Sequence, residues 1–212
     1  MVGVDFGVQL IQTIVFGLML GGVYALAAMG LSLLFGVANL VNFAHGEYIM
    51  LAMYITYFLS ISLFGDPVLS PILTIPIFFG IGVLTYLGIF KRLVKAPPLS
   101  QIAATVGIVV LLRNLALAVW AAEPKAPPYT VFATSVNVGP IIIPLDKFLA
   151  TVVSIFTLVI LNQFLEKSKL GIAMKAAADD VEAVSLMGVD TGRLFLLTTG
   201  ISMALVGLSG SL

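Results

Sequence analysis

The chain has 212 residues, of which 60% are hydrophobic and 9% charged, with ten acidic and ten basic side chains, no cysteine and one histidine. Soluble domains are about one-quarter charged, so this composition excludes a soluble globular protein and places most of the chain in lipid. Zero net charge leaves no electrostatic footprint for a nucleic acid, and the missing cysteines remove disulfides and thiol chemistry. A single histidine would leave a metal centre to carboxylates alone.

A bilayer core of about 30 Å takes about 20 apolar residues per helix. Six such runs can be read in order: Val8 to Phe35, Tyr48 to Leu63, Pro71 to Phe90, Ser100 to Ala121, Lys147 to Leu165 and Leu194 to Leu212. The expected fold class is all-α, a polytopic transmembrane helix bundle. Ala25-Leu26-Ala27 has the small-x-small form of a signal cleavage site, but no Lys or Arg precedes it and the apolar run continues to Phe35, so it reads as a membrane helix. All ten prolines lie between Pro67 and Pro144, mostly in connections, with Pro76 inside a helix. Lys91, Arg92 and Lys95 mark one loop and Lys167, Lys169 and Lys175 another, with two helices between them. Both loops are therefore cytoplasmic and the N-terminus outside, provided that the first run crosses once. By the same parity, residues 41–50 approach the cytoplasmic side, and a short hairpin is expected outside around Tyr129 to Val138. Gly17-x-x-x-Gly21, continuing to Ala25, and Gly200 with Ala204 have the spacing of closely packed membrane helices.

The stretch "VNFAHGEYIM" places Asn42, His45 and Glu47 in one of the most apolar parts of the chain. Asn39, Asn42 and His45 follow at threes and would share a broad face of one helix, with Glu47 close by. Gly46 allows a helix break there, and broken helices beside cavities are where membrane carriers meet their cargo. Two readings stand side by side. The cluster lines or hinges a path, or Asn42 caps the next helix while His45 and Glu47 sit at the cytoplasmic interface on backbone groups. His-x-Glu lacks the spacing of a helical zinc motif. Arg113, in "VVLLRNLAL", either snorkels to the outer interface or pairs with a carboxylate in the bundle or on a substrate.

Nine of the twenty charged residues fall in the 28 positions from Glu166 to Arg193. That segment is alanine-rich and punctuated by Gly171, Gly188 and Gly192, which predicts two short helices across the cytoplasmic surface. Asp179 is expected to cap the second with Glu182 at N3, and Gly188 to end it. Ala177, Val181 and Val184 form one face, and Lys175, Asp179 and Glu182 another. An acid-rich helix with an alanine face suits docking into a protein groove better than resting on headgroups.

"GLMLGGVYALAAMGLSLLFGVANLVNFAHGEYIMLAMY" at 17–54, with "SKLGIAMKAAADDVEAVSLMGVDTGRLFLLT" at 168–198, resembles the LivH-type permease subunit of branched-chain amino acid ABC importers. The resemblance runs over essentially the whole chain and implies one transmembrane permease domain over 1–212. Within it, residues 166–193 would form the cytoplasmic segment that couples to an ATPase, carried by Gly171, Ala173, Ala177, Asp179, Asp180, Glu182, Ala183, Leu186 and Gly188. It further implies a second, homologous permease subunit, an extracytoplasmic solute-binding protein and a multi-pass location in the plasma membrane. The cargo it implies is leucine, isoleucine or valine, with urea or a short amide as alternatives. Members of the family have further helices beyond this point, including a glycine-rich block not found here, so the chain reads as an N-terminal portion. No phosphate-binding Gly-x-x-x-x-Gly-Lys-Ser/Thr loop or nucleophile motif is present, so no cofactor is expected on this chain and ATP belongs to the partner. A non-enzyme is expected. The rival class, an ion-coupled carrier or channel, calls for several intramembrane carboxylates, for which Glu47 is the one good candidate.

Overall fold

The structure, a computed structural model, describes residues 6–64, 66–121, 125 and 134–212. Its helices are α1 (Phe6–Ala38), α2 (His45–Leu59, prolonged by a π-turn over Ser60–Phe64), α3 (Pro71–Leu93) and α4 (Pro98–Trp120). A two-stranded hairpin, β1 (Ser135–Val138) and β2 (Ile141–Pro144), precedes α5 (Leu145–Lys167), α6 (Lys169–Asp179), α7 (Val181–Leu186) and α8 (Thr191–Ser211). Six of the helices are long and apolar enough to cross a membrane, namely α1 to α5 and α8. The chain is a multi-pass, all-α bundle, as its hydropathy indicates.

Boundaries follow local chemistry. Pro71 and Pro98 open α3 and α4, where a missing N–H costs nothing and the fixed φ suits the first turn. Pro76 is accommodated inside α3. The hairpin lies later than the sequence suggests, pairing Ser135 with Pro144 and Val138 with Ile141. Gly139, at φ +62°, supplies the turn and the β-branched run Ile141–Ile143 the second strand. Residues 129–133 of the expected hairpin lie outside the described residues.

Cross-helix contacts relate the directions of the spans, and α3 runs antiparallel to α8 because Gly82 faces Thr199 and Gly207 faces Thr74. Thr151 donates to the Met19 carbonyl at 3.1 Å and Gln12 exchanges two hydrogen bonds with Ile142, so α1 and α5 run parallel. Ser202 and Ser209 of α8 donate to Gly30 and Val23, which sets α8 antiparallel to α1. Glu47 meets Arg113 and Tyr54 stacks on Trp120, so α2 and α4 run parallel. Because α1 is one continuous helix of 33 residues, it crosses once. The lysine- and arginine-bearing ends of α3 and α5 then share one side of the membrane.

α8 is the axis of the bundle. Leu194, Met203, Val206 and the hydroxyl residues Thr198, Thr199 and Ser202 are all within 2% of complete burial. Thr198 and Thr199 satisfy their hydroxyls on carbonyls one turn back, at 2.8 Å. In lipid, helix pairing rests on close packing and such polar satisfaction rather than on expulsion of water. Glycine permits it: a Cβ on Gly207 would stand 2.8 Å from the Thr74 carbonyl oxygen, and one on Gly82 2.8 Å from that of Thr199. The expected Gly17–Gly21 stripe is not used in this way, since a Cβ at either position meets nothing within 4 Å. Close approach falls instead to Gly30, Gly82, Gly200, Gly207 and Gly210, all but Gly30 on the α8 contacts with α2 and α3.

Gly82→Ala and Gly207→Ala are each expected to cost about 1–3 kcal/mol by forcing α3 off α8. Melting in detergent should show the loss, while Gly80→Ala and Gly88→Ala, where a Cβ meets nothing within 4 Å, should leave the midpoint unchanged. Equal effects in both pairs would contradict the packing described.

Candidate functional site: the re-entrant break between α1 and α2

Residues 39–44 connect α1 to α2 without helical structure. Asn39 ends α1 in the left-handed region at φ 48°, a conformation that asparagine tolerates better than most side chains. Asn42 Oδ1 accepts from the Ala44 amide at 3.1 Å and folds the chain into α2, which begins at His45. The break therefore precedes Gly46, which is exposed and already helical in the first turn of α2. Asn39, Asn42 and His45 do not share a helical face. Asn39 is exposed, whereas Asn42 and His45 are buried at 2% and 6% exposure.

The linker is held at depth. His45 Nε2 donates to the Ala27 carbonyl at 2.8 Å, eleven residues before the end of α1 and so about 16 Å up that helix. The chain thus folds back into the bundle after α1, and α2 starts well inside it rather than level with the end of α1. Backbone outside a helix at this depth must be satisfied by protein. Val41 shows how: its N–H donates to Gln101 Oε1 at 3.3 Å, and the Thr105 hydroxyl, whose shortest contact is the Gln101 carbonyl at 2.9 Å, lies 3.4 Å from the Val41 carbonyl. Gln101 also donates to the Leu93 and Ala96 carbonyls at 3.2 Å, tying the linker to the α3–α4 turn. Sequence reasoning did not single out Gln101 or Thr105, although a glutamine in the opening turns of an apolar helix was the available signal. Because Nε2 donates, a neutral His45 leaves Nδ1 as an acceptor. Neither Nδ1 nor the donor Asn42 Nδ2 has a partner among the described residues.

Glu47, in the first turn of α2, accepts from Arg113 Nη2 of α4 at 2.5 Å. Arg113 lies fifteen residues into α4, about 22 Å along it, so it pairs with a carboxylate inside the bundle. The Glu47 side chain is 12% exposed and that of Arg113 64%. Two turns further out, Tyr54 stacks on Trp120 with ring centroids 4.5 Å apart, and Phe58 lies 6.0 Å from the same indole. The ion pair and the aromatic stack fasten α2 and α4 together. A mostly apolar cavity of about 370 Å³ adjoins the linker at Leu31, Phe35, Val41, Asn42 and Phe43. Another, of about 570 Å³, opens at the outer end of α2, where Thr56, Tyr57, Lys125 and Asp146 line it.

The second group of candidate residues sits on α6 and α7. Ser168 accepts from the Gly171 amide at 2.9 Å and caps α6. Asp180, not Asp179, caps α7, accepting from Glu182 and Ala183 amides at 2.9 and 3.0 Å. Asp179 is the last residue of α6, because the chain turns extended at Asp180 (φ −154°, ψ 102°). Gly188 follows α7 at φ +84°. Gly171, Met174, Ala177 and Val184 are buried, Ala173 is half-buried, and Asp179, Asp180, Glu182, Ala183, Leu186 and Gly188 are exposed. A Cβ on Gly171 would run into the Phe164 carbonyl and the Leu165 backbone. The alanine face expected to dock on a partner is therefore occupied within the chain, seating α6 and α7 under α1, α5 and α8.

A bundle of six candidate membrane spans, with a polar break between the first two and a helical segment packed against α1, α5 and α8, makes this a multi-pass membrane protein rather than a single-pass anchor. Residues 13–212 match the family described as the permease component of branched-chain amino acid transport systems, and the chain belongs to that family. It is 29% identical to the high-affinity branched-chain amino acid transport system permease protein BraD of Pseudomonas aeruginosa, over 95% of this chain and 70% of that protein. It is 25% identical to LivH of Escherichia coli K12, over 92% and 68%. A probable branched-chain amino acid transport permease protein LivH of Methanocaldococcus jannaschii is 31% identical, over 88% and 61%. No solved structure matches the chain.

Neutralising either Glu47 or Arg113 should destabilise the α2–α4 seam more than neutralising both, since each single change strands the other charge. In a double-mutant cycle of Glu47→Gln and Arg113→Gln, read as thermal stability in detergent, a coupling of at least about 1 kcal/mol is expected. Additive losses would show that the pair does not hold the seam.

Proposed function

We propose that this chain is the membrane-spanning permease subunit of an ATP-driven importer that carries leucine, isoleucine and valine across the plasma membrane. The observation that carries this reading is the family match, which spans both the polar break and the 166–193 segment. In this reading residues 1–212 act as one transmembrane domain. A separate ATPase subunit engages the 166–193 segment, a homologous permease subunit completes the path, and a solute-binding protein delivers the amino acid outside. This chain performs no chemistry of its own. ATP is bound and hydrolysed on the partner, and the permease converts the difference in contact energy between two partner states into a shift of its own equilibrium.

The packing supports such a route. α6 and α7 rest on α1, α5 and α8, and α8 meets α1 at Gly30, whose Cβ position lies 2.9 Å from the Ser202 carbonyl oxygen and 3.4 Å from the His45 ring. A displacement of α6 and α7 thus reaches the break through one packed helix. Asn39, Asn42, His45, Gly46 and Glu47 act in this reading as the hinge and lining of the path, between the cavity at the linker and the cavity at the outer end. An ion-coupled carrier is less well supported, because Glu47 is already committed to Arg113 and a proton or cation relay needs carboxylates that exchange partners.

Membrane vesicles holding this permease with the other subunits of its system should take up labelled leucine only with ATP, and unlabelled urea should not compete. Competition by urea would move the cargo to urea or a short amide, and uptake indifferent to ATP would overturn the coupling.

A further inference from the structure

The cavity at the outer end of α2 encloses about 570 Å³, within the range of small-molecule sites. Its charged and apolar residues are separated by depth. Lys125 and Asp146 line it on the outer side, Asp146 in the first turn of α5 and Lys125 in the connection that leads there from α4. Leu149 and Val153 follow Asp146 on the same helix, and Val153, seven residues on, lies about 10 Å deeper. Met53 of α2 joins them in the wall. The cavity thus has a charged rim over an apolar floor.

The rim charges are open to a ligand. Neither Lys125 nor Asp146 is in an ion pair among the described residues, although both line one cavity. Lys147, beside Asp146 in the chain, is committed elsewhere, over the Phe16 ring of α1 at 5.0 Å. Thr56, on the same wall, is 7% exposed, and its hydroxyl has no hydrogen-bond partner among the described residues. A buried hydroxyl left unpaired is costly, and a polar ligand in the cavity can supply the partner. A cation, a carboxylate and an unsatisfied hydroxyl above an aliphatic floor complement a molecule with both charges at one end and a hydrocarbon at the other. Urea or a short amide would leave both rim charges unanswered, and a purely apolar molecule would leave the whole rim unmatched. We infer that this cavity is a receiving site for a zwitterionic aliphatic amino acid, with Lys125 on its α-carboxylate, Asp146 on its α-ammonium, and Met53, Leu149 and Val153 around its side chain. The inference rests on the amino acid importer reading above and deepens it. It assigns the choice of an amino acid over urea to Lys125 and Asp146, outside both the break at residues 39–44 and the 166–193 segment.

The test uses the permease assembled with its ATPase subunits in lipid nanodiscs, without the solute-binding protein, so that no other amino acid site contributes. Three probes carry the same photoreactive diazirine in the side chain: a leucine analogue, its α-amide, which lacks the carboxylate, and its desamino acid, which lacks the ammonium. The leucine analogue should label Met53, Leu149 or Val153, and excess leucine should suppress the labelling where excess urea does not. Lys125→Gln should lower labelling by the leucine analogue about tenfold, because it removes a charge-assisted hydrogen bond, without lowering labelling by the amide. Asp146→Asn should lower it similarly without lowering labelling by the desamino acid. Equal losses with all three probes would show a merely structural role and overturn the assignment. Labelling outside the cavity, or labelling that excess leucine leaves unchanged, as lipid in the cavity would give, would overturn the site. Leucine uptake by vesicles holding all the subunits reads the importer proposal separately. Intact ATP-dependent uptake with unsuppressed labelling overturns the site alone, whereas absent uptake by the wild type overturns the importer reading.

Discussion

Backbone polar groups in lipid must find partners inside the protein, and the rest of this structure depends on how residues 39–44 meet that demand. Helices satisfy themselves, so the linker from which α2 starts inside the bundle, at the depth of Ala27, needs partners from elsewhere. Gln101 of α4 takes the Val41 amide, with the Thr105 hydroxyl beside the Val41 carbonyl, Asn42 takes the Ala44 amide, and His45 reaches Ala27. These bonds come from three elements that are not otherwise continuous. The break is thus a junction where α1, α2 and α4 are tied by a few hydrogen bonds and one ion pair.

The remainder of the bundle is built more stiffly. α8 packs on α1, α2 and α3 through glycines that leave no room for a Cβ, with its hydroxyls turned onto its own carbonyls or onto α1. Interiors packed this closely transmit displacement rather than absorb it. α6 and α7 are locked beneath by Gly171, Met174, Ala177 and Val184. A closely packed axis thus joins the α6–α7 platform to the polar junction.

Much of this was legible in the sequence, and the exceptions have physical causes. Hydropathy and prolines gave six spans, and the Lys and Arg positions agree with the helix directions. The polar residues of the break stood out because charge in lipid is costly. Their arrangement did not, since Asn39, Asn42 and His45 at spacings of three look helical until tertiary bonds to α1 and α4 are known. Gly46 looked like the breaker, yet Asn39 takes the left-handed conformation and glycine remains helical. The Gly17–Gly21 stripe has the right spacing without a neighbour, because spacing encodes a helix face and not what lies opposite. The alanine face of α6 and α7 was correctly drawn as a face, but sequence could not say whether its partner was another subunit or the same chain. Asp179 and Asp180 are equally good caps in isolation, and only the extended backbone of Asp180 decides between them.

The central claim is that events at the α6–α7 platform reach the break at residues 39–44. With no native cysteine, a single Phe43→Cys in the exposed part of the linker reports on that region alone. Its labelling rate with a small thiol reagent should be measured in the assembled transporter with and without a non-hydrolysable ATP analogue. The account predicts a change of several-fold on adding the analogue. A rate identical with and without the analogue in the wild-type assembly would contradict it.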